Sequence, residues 1–200
     1  MPSSGSTASS KAVFLDRDGV LVEDAGSPWP NRDLRLLPGA ARALAKLKAA
    51  GYRLVVVSNQ TLVARGLLDE VGVTRRQARL ERTIRACGGP ELDGFYFCPH
   101  HPAASIPSYR RDCNCRKPAP GLLERAAQEL GIDCRRSVMV GDRPSDVVAG
   151  RRMGCHTIQV QTGRHNDPLI EVTGGFCAVD PNHVCKDLAQ AATLILEMQP

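Results

Sequence analysis

The sequence is poor in aromatic residues: Phe, Trp and Tyr make up 4% of its 200 residues, with a single tryptophan, Trp29. Hydrophobic residues still reach 42%, so the core must be built mainly from Ala, Val, Leu and Ile, in a chain of a length that suits one domain with a sizeable interior. No apolar run approaches the roughly 20 residues needed to span a bilayer, and no membrane partner is expected. The first ten residues, M-P-S-S-G-S-T-A-S-S, lack the apolar segment of a signal peptide. They are read as a disordered tail (1–10) ahead of one domain (11–200), in a cytoplasmic protein. A dense basic and aromatic stripe is also missing. The net charge of +5 is spread over cations interleaved with acids, which fits an anionic small molecule and excludes an obvious nucleic-acid partner.

The segment Lys11 to Val22, K-A-V-F-L-D-R-D-G-V-L-V, organises the rest. Ala12 to Leu15 is a short apolar run suited to a buried strand, and it stops at Asp16-Arg17-Asp18-Gly19. Residues i and i+2 of an extended segment point the same way, so Asp16 and Asp18 can share one small volume beside a turn at Gly19. That volume suits a divalent cation and a phosphate. Asp16 could also act as a nucleophile that forms an aspartyl-phosphate, with Asp18 as general acid and base. The alternative is a pair that only binds metal or caps a turn through Asx hydrogen bonds, and the two carboxylates alone do not decide.

Further along, Pro38-Gly39 opens a helix with a stripe of Ala40, Ala43, Leu44 and Leu47, closed near Gly51. Leu54 to Val57 forms a second buried strand ending at Ser58-Asn59-Gln60. A helix is expected over Thr74 to Ala86 with Thr74 as N-cap, a strand over Gly94 to Cys98, and a helix over Pro120 to Leu130. A strand at Val138 to Val140 ends at Gly141-Asp142. Helix Pro144 to Met153, strand His156 to Val160 and helix Lys186 to Met198 complete the chain. Glu23 to Arg35, around Trp29, is a loop. Continuous apolar strands alternating with helices predict an α/β fold, a doubly wound parallel sheet. Its ligand site lies beyond the carboxyl ends of the strands, where Asp16, Ser58 and Asp142 should converge.

Eight cysteines without an export signal point to metal rather than disulfides for those close in sequence. Cys98-x-His100 and Cys113-x-Cys115 offer three thiolates and an imidazole, a closed tetrahedral set for structural Zn²⁺. The ion would supply order to a segment, Pro99 to Pro120, that has no regular periodicity. His101 is the rival to His100. Cys87, Cys134, Cys155, Cys177 and Cys185 have no partner at metal spacing.

Asp16-Arg17-Asp18-Gly19, Ser58-Asn59, Lys117 and Gly141-Asp142 with Asp146, in that order, resemble the haloacid dehalogenase (HAD) superfamily. Ala64-Arg65-Gly66 after S-N-Q, C-P-H-H-P from Cys98, C-N-C-R-K-P from Cys113 and V-G-D-x-x-x-D from Val140 are most similar to its small bacterial branch of heptose-bisphosphate and histidinol-phosphate phosphatases. The resemblance implies a HAD-like Rossmannoid core with a zinc-stapled loop (98–115) in place of a large cap, and an open, monomeric enzyme acting on a small phosphorylated sugar. It implies Asp16 as nucleophile, Asp18 as general acid and base, and Ser58 and Lys117 as ligands of the phosphoryl oxygens. Mg²⁺ would be held by the carboxylates of Asp16 and Asp142 and the backbone carbonyl of Asp18, with Asp146 in support. It also implies His100 as the fourth Zn²⁺ ligand.

Arg116 would meet a second phosphate, for which a guanidinium is suited, with Asn59, Arg65 and Arg143 as further substrate-binding residues. Val20 and Leu62 depart from the branch at positions that usually carry Thr and Gly, and the Trp29 loop lacks its Tyr-His pattern. These differences touch the substrate rim and leave the catalytic set intact. The expected reaction is removal of the C7 phosphate of a heptose 1,7-bisphosphate. Histidinol phosphate or another small phosphosugar is the alternative substrate, and a zinc-stabilised module that binds a phosphometabolite is the alternative outside enzymes.

Overall fold

A computed structural model describes residues 9–24, 34–166, 171–172, 175–176 and 180–198. The expectations for the Trp29 loop, for Cys177 and for residues 1–8 of the tail lie outside them. Backbone pairing begins at Ser10, which bridges to Ile132 one residue before the expected domain start.

Six strands form one parallel sheet: β1 (Ala12–Leu15), β2 (Arg53–Asn59), β3 (Gly94–Cys98), β4 (Val138–Gly141), β5 (His156–Val160) and β8 (His183–Cys185), in the order β3-β2-β1-β4-β5-β8. Two further short strands, β6 (Glu171–Val172) and β7 (Gly175–Phe176), pair antiparallel as a separate ribbon. The helices are α1 (Ala40–Ala49), α2 (Thr61–Ala64), α3 (Glu70–Ala86), α4 (Gly121–Leu130), α5 (Pro144–Arg152) and α6 (Leu188–Glu197). None is long and apolar enough to cross a membrane.

The pleat of the central strands divides the interior in two. Val13, Leu15, Leu54, Val56, Val138, Val140 and Ile158 face α1, α3 and α6 and pack with Leu44, Leu47, Leu80, Ile84, Ala191 and Ile195. Ala12, Phe14, Val55, Val57 and Met139 point the other way, onto Leu122, Leu123 and Ala126 of α4 and Ala149 of α5. Every residue of β1 is therefore buried, whichever face it serves, which is why its sequence is a continuous apolar run rather than an alternating one. The expected doubly wound α/β class is the one observed.

The boundaries show where tertiary context and capping overrode periodicity. Helix α3 begins four residues before Thr74, because the carboxylate of Asp69 accepts the amide of Gly72 at 2.6 Å and supplies the N-cap. Thr74 is inside the helix, its hydroxyl donating to the carbonyl of Glu70. Several short elements were not expected. Strand β8 is three residues long on a sheet edge with two of them exposed, α2 is a single turn after β2, and the β6–β7 ribbon has two residues a side. Each is too short for a period to register.

Strand order reverses around β1, which pairs with β2 on one side and β4 on the other, Leu15 standing opposite both Val56 and Val140. The carboxyl ends of these three strands, at such a switch point, open onto the crevice where α/β sheets bind ligands.

Candidate active site

Asp16 follows β1 directly, its amide donating to the carbonyl of Val140 at 2.9 Å. Asp142 follows β4, and Asp146 lies in the first turn of α5. Carboxylate oxygens of these three residues lie within 4.8 Å of one another, all buried. Close approach of this kind needs glycine nearby. Gly19 has φ +84°, and a Cβ on it would stand 2.4 Å from Asp142 Oδ2. A Cβ on Gly163, in the loop after β5, would stand 2.2 Å from the same oxygen.

Lys117 meets the cluster directly. Its ammonium is 2.9 Å from Asp16 Oδ1 and 2.6 Å from Asp146 Oδ1, and it donates to the carbonyl of Val57 at 2.7 Å. Asn59 clasps the lysine backbone in both directions: its amide nitrogen donates to the Lys117 carbonyl and its oxygen accepts the Lys117 N–H, at 3.0 and 3.1 Å. Asn59, expected at the substrate, thus also locks the residue that neutralises Asp16. Asp146, expected only in support, is 1% exposed; its other oxygen accepts the Arg143 amide at 3.0 Å and closes the start of α5.

The cluster is short of positive charge. Burial, then the carboxylates of Asp146 and Asp18, raise Asp16 to about 6 against the pull of Lys117. Burial, then Asp16 and Asp146, push Asp142 up to about 8, although the Arg164 amide and Arg143 act the other way. Lys117 would be lowered by burial, but Asp146 and Asp16 outweigh this and raise it. Asp142 Oδ1 is buried and has no hydrogen-bond partner among the described residues. A divalent cation would satisfy that oxygen and relieve the three-way repulsion.

Asp18 does not join the three carboxylates. Its side chain, one-third exposed, turns to Arg17 and to Gln60, whose amide nitrogen also donates to Ser58 Oγ at 2.8 Å. The Ser58 oxygen is thereby used as an acceptor, and its own O–H is left to donate into the site. The i, i+2 relationship brought the two aspartates near each other without making their carboxylates equivalent.

At the other end of the segment that carries Lys117, Cys98, His100, Cys113 and Cys115 place their ligand atoms within 4.8 Å of one another. The sulfurs are separated by 3.2 to 3.6 Å, and His100 Nδ1 lies 3.3 Å from Cys115 Sγ. His101 is turned away, its Nδ1 accepting the Ala103 amide, so His100 is the histidine that meets the thiols. Next in the chain, Arg116 donates to the carbonyl of His100 at 3.0 Å and leans on Thr61 Oγ1. Arg65 and Arg116 both lie close enough to His101 to lower its pKa, after burial, and Arg143 close enough to Arg116 to do likewise. Of the three arginines expected at the substrate, Arg143 is also ion-paired to Asp24 at 3.2 Å.

The loop after β5 was missed by sequence reading. Thr162 donates its hydroxyl to the carbonyl of Gly19 at 2.5 Å, the Arg164 amide donates to Asp142 Oδ2 at 2.6 Å, and Gln159 donates to the Asp142 carbonyl. The only signal was position: Q-T-G-R follows a strand at the ligand end of the sheet.

A family model described as haloacid dehalogenase-like hydrolase matches residues 11–151, and a second, described as HAD-hydrolase-like, matches 114–191. The chain belongs to the haloacid dehalogenase-like hydrolases. Within this family it is 42% identical over 162 residues to the D-glycero-beta-D-manno-heptose-1,7-bisphosphate 7-phosphatase of Pasteurella multocida, covering 80% of this chain and 85% of that protein. It is 38% identical over 188 residues to the D-glycero-D-manno-heptose-1,7-bisphosphate 7-phosphatase of Thermosynechococcus vestitus, covering 92% and 94%. The crystal structure of D,D-heptose 1,7-bisphosphate phosphatase from B. bronchiseptica, complexed with magnesium and phosphate, superposes with a TM-score of 0.77 at 32% identity, covering 94% of this chain and 99% of that one. This HAD hydrolase thus shares both its sheet and most of its length with proteins named as heptose 1,7-bisphosphate phosphatases.

Proposed function

We propose that this HAD hydrolase is a Mg²⁺-dependent phosphatase that removes the C7 phosphate of D-glycero-D-manno-heptose 1,7-bisphosphate through an aspartyl-phosphate on Asp16. The observation that carries the reading is the buried carboxylate of Asp16, held 2.9 Å from the Lys117 ammonium inside a three-carboxylate cluster. A carboxylate so placed cannot leave for solvent, and its partners are those that phosphoryl transfer requires.

Asp16, Asp142 and Asp146 fit a hard cation with oxygen ligands, and the partnerless Asp142 Oδ1 is the oxygen most in need of one. Mg²⁺ bound there offsets charge on the phosphoryl oxygens. The Ser58 hydroxyl holds one of those oxygens and the Lys117 ammonium sets its positive charge beside the reacting group while an Asp16 carboxylate oxygen attacks phosphorus. The bond from phosphorus to the C7 oxygen breaks, and Asp18 gives its proton to that oxygen as it leaves. In the second half, Asp18 takes a proton from water, the water oxygen bonds to phosphorus and the Asp16–phosphorus link opens. Inorganic phosphate leaves and both aspartates return to their starting states.

The three thiols and His100 Nδ1 fit Zn²⁺. Their sulfur separations of 3.2 to 3.6 Å are close to the edge, about 3.7 Å, of a tetrahedron with Zn–S bonds of about 2.3 Å. No ligand position remains open, so zinc has a structural part: it braces the 98–115 loop that presents Arg116 and Lys117. Arg65, Arg116 and Arg143 would supply cations for a second phosphate, which is what separates a bisphosphate from histidinol phosphate as substrate.

The test is phosphate release with Mg²⁺ from both anomers of the heptose bisphosphate, from histidinol phosphate and from fructose 1,6-bisphosphate. Preference for one heptose anomer, abolished by Asp16→Asn, is expected. Preference for histidinol phosphate would remove the second phosphate from the account and leave Arg116 another task.

A further inference from the structure

Arg17 and Gln60 have no part in the chemistry above, yet they surround the residue on which it turns. Both are 3% exposed. Arg17 Nη2 donates to Asp18 Oδ2 at 2.8 Å and more distantly to Oδ1 at 3.2 Å. It also donates to Gln60 Oε1 at 3.0 Å, and Gln60 Nε2 donates to Asp18 Oδ2 at 3.3 Å. A guanidinium has no acceptor, so Arg17 can meet only the oxygen end of the Gln60 amide. That contact forces the amide nitrogen toward Asp18 and Ser58. Arg17 thus sets the direction of bonds it does not itself make.

The two oxygens of Asp18 are consequently unlike. Two separate donors converge on Oδ2, whereas Oδ1 has only the longer contact to a nitrogen already committed to Oδ2. In a protonated carboxyl the carbonyl oxygen is the better acceptor, so the proton belongs on the oxygen with fewer donors. We propose that Arg17 and Gln60 are positioning residues that hold Asp18 by Oδ2, making Oδ1 the oxygen that carries the proton to the leaving group. The ion pair is poorly suited to a purely structural role. Arg17 Nε and Nη1 are buried without a hydrogen-bond partner among the described residues, and a buried cation so incompletely satisfied adds little to stability.

The inference rests on the phosphatase reading, and its test separates the two. The ester of a sugar hydroxyl needs a proton on its leaving oxygen, whereas 4-nitrophenyl phosphate releases a stable phenolate and needs none. Values of kcat/KM cover the chemistry only up to departure of the leaving group, so hydrolysis of the aspartyl-phosphate, shared by both esters, does not enter. Arg17→Met should lower kcat/KM for the heptose bisphosphate by about 10²-fold, the low end of what general acid catalysis contributes. The loss on 4-nitrophenyl phosphate should be at least tenfold smaller. Gln60→Leu should shift the ratio of the two in the same direction, which covers the case that Arg17→Met does not fold, and Arg17→Lys should restore part of it. In an Asp18→Asn background, Arg17→Met should change the ratio no further, since residues acting as one unit are not additive.

Equal losses on both esters, or full additivity with Asp18→Asn, would overturn the inference and leave the phosphatase reading standing. A wild-type protein inert toward both esters with Mg²⁺ would overturn the reading, and the inference with it.

Discussion

The ammonium of Lys117 lies 2.6 Å from Asp146 Oδ1, and both side chains are almost wholly buried. A cation fixed by one aspartate is thereby kept beside another, Asp16. Removing one partner of such a pair leaves an uncompensated buried charge, which typically destabilises by about 3–5 kcal/mol. Lys117→Met is expected to lower the melting temperature measured without Mg²⁺ and to reduce kcat/KM by at least about 10²-fold, the loss usual when a group that stabilises transition-state charge is removed. Asp146→Asn should retain more activity and require more Mg²⁺ for half-maximal rate. A Lys117→Met enzyme with near wild-type turnover would contradict the role given to this lysine.

Gly163 is expected to matter for the metal although it ligates nothing. Its missing side chain leaves room for Asp142 Oδ2 and for the Gly19 backbone, which a Cβ would approach to 2.2 and 2.8 Å. Gly163→Ala should displace the Asp142 carboxylate and raise the Mg²⁺ concentration for half-maximal activity several-fold or more. Metal titrations of activity and of thermal stability both report it, and an unchanged midpoint would show that the loop yields instead.

The cysteine cluster should hold about one zinc per chain, read by metal analysis of the purified protein. Cys115→Ser should lose the ion, lower the melting temperature and impair activity through Arg116 and Lys117, the two residues that follow directly. Because zinc takes no chemical step in this account, extra Zn²⁺ without Mg²⁺ should not support turnover.

A pH effect is expected away from the active site. His156 on β5 lies against His183 on β8, the ring centroids 5.1 Å apart and the planes tilted by 32°, and burial, then His183 and Arg151, lower its pKa below 6.5. The folded state therefore binds this proton less readily than the unfolded chain, so stability held above pH 6.5 is lost as pH falls toward the folded pKa. His183→Asn should blunt that loss, visible as a shallower decline of melting temperature between pH 7 and pH 5.

The central strands and the carboxylates gathered at their ends were legible in the sequence for one reason: strands buried on both faces are written as unbroken apolar runs, and the runs end abruptly at Asp16, Ser58 and Asp142. The metal-like spacing of Cys98, His100, Cys113 and Cys115 was legible because its ligands are close in the chain. What escaped depended on contacts between distant segments. Nothing local shows that Gln60 orients Ser58 and Asp18, that Asn59 grips the backbone of Lys117, or that Thr162 and Arg164 return from β5 to Gly19 and Asp142. Thr74 has a hydroxyl of the kind that caps helices, but the cap is Asp69, just before the first turn, and nothing local ranks one above the other.

The most direct measurement is ³¹P nuclear magnetic resonance of the heptose 1,7-bisphosphate during turnover with Mg²⁺. The C7 phosphate signal is expected to be replaced by inorganic phosphate while the C1 phosphate signal persists, and Asp16→Asn is expected to stop the change. Loss of the C1 phosphate first, or turnover that survives Asp16→Asn, would contradict this expectation.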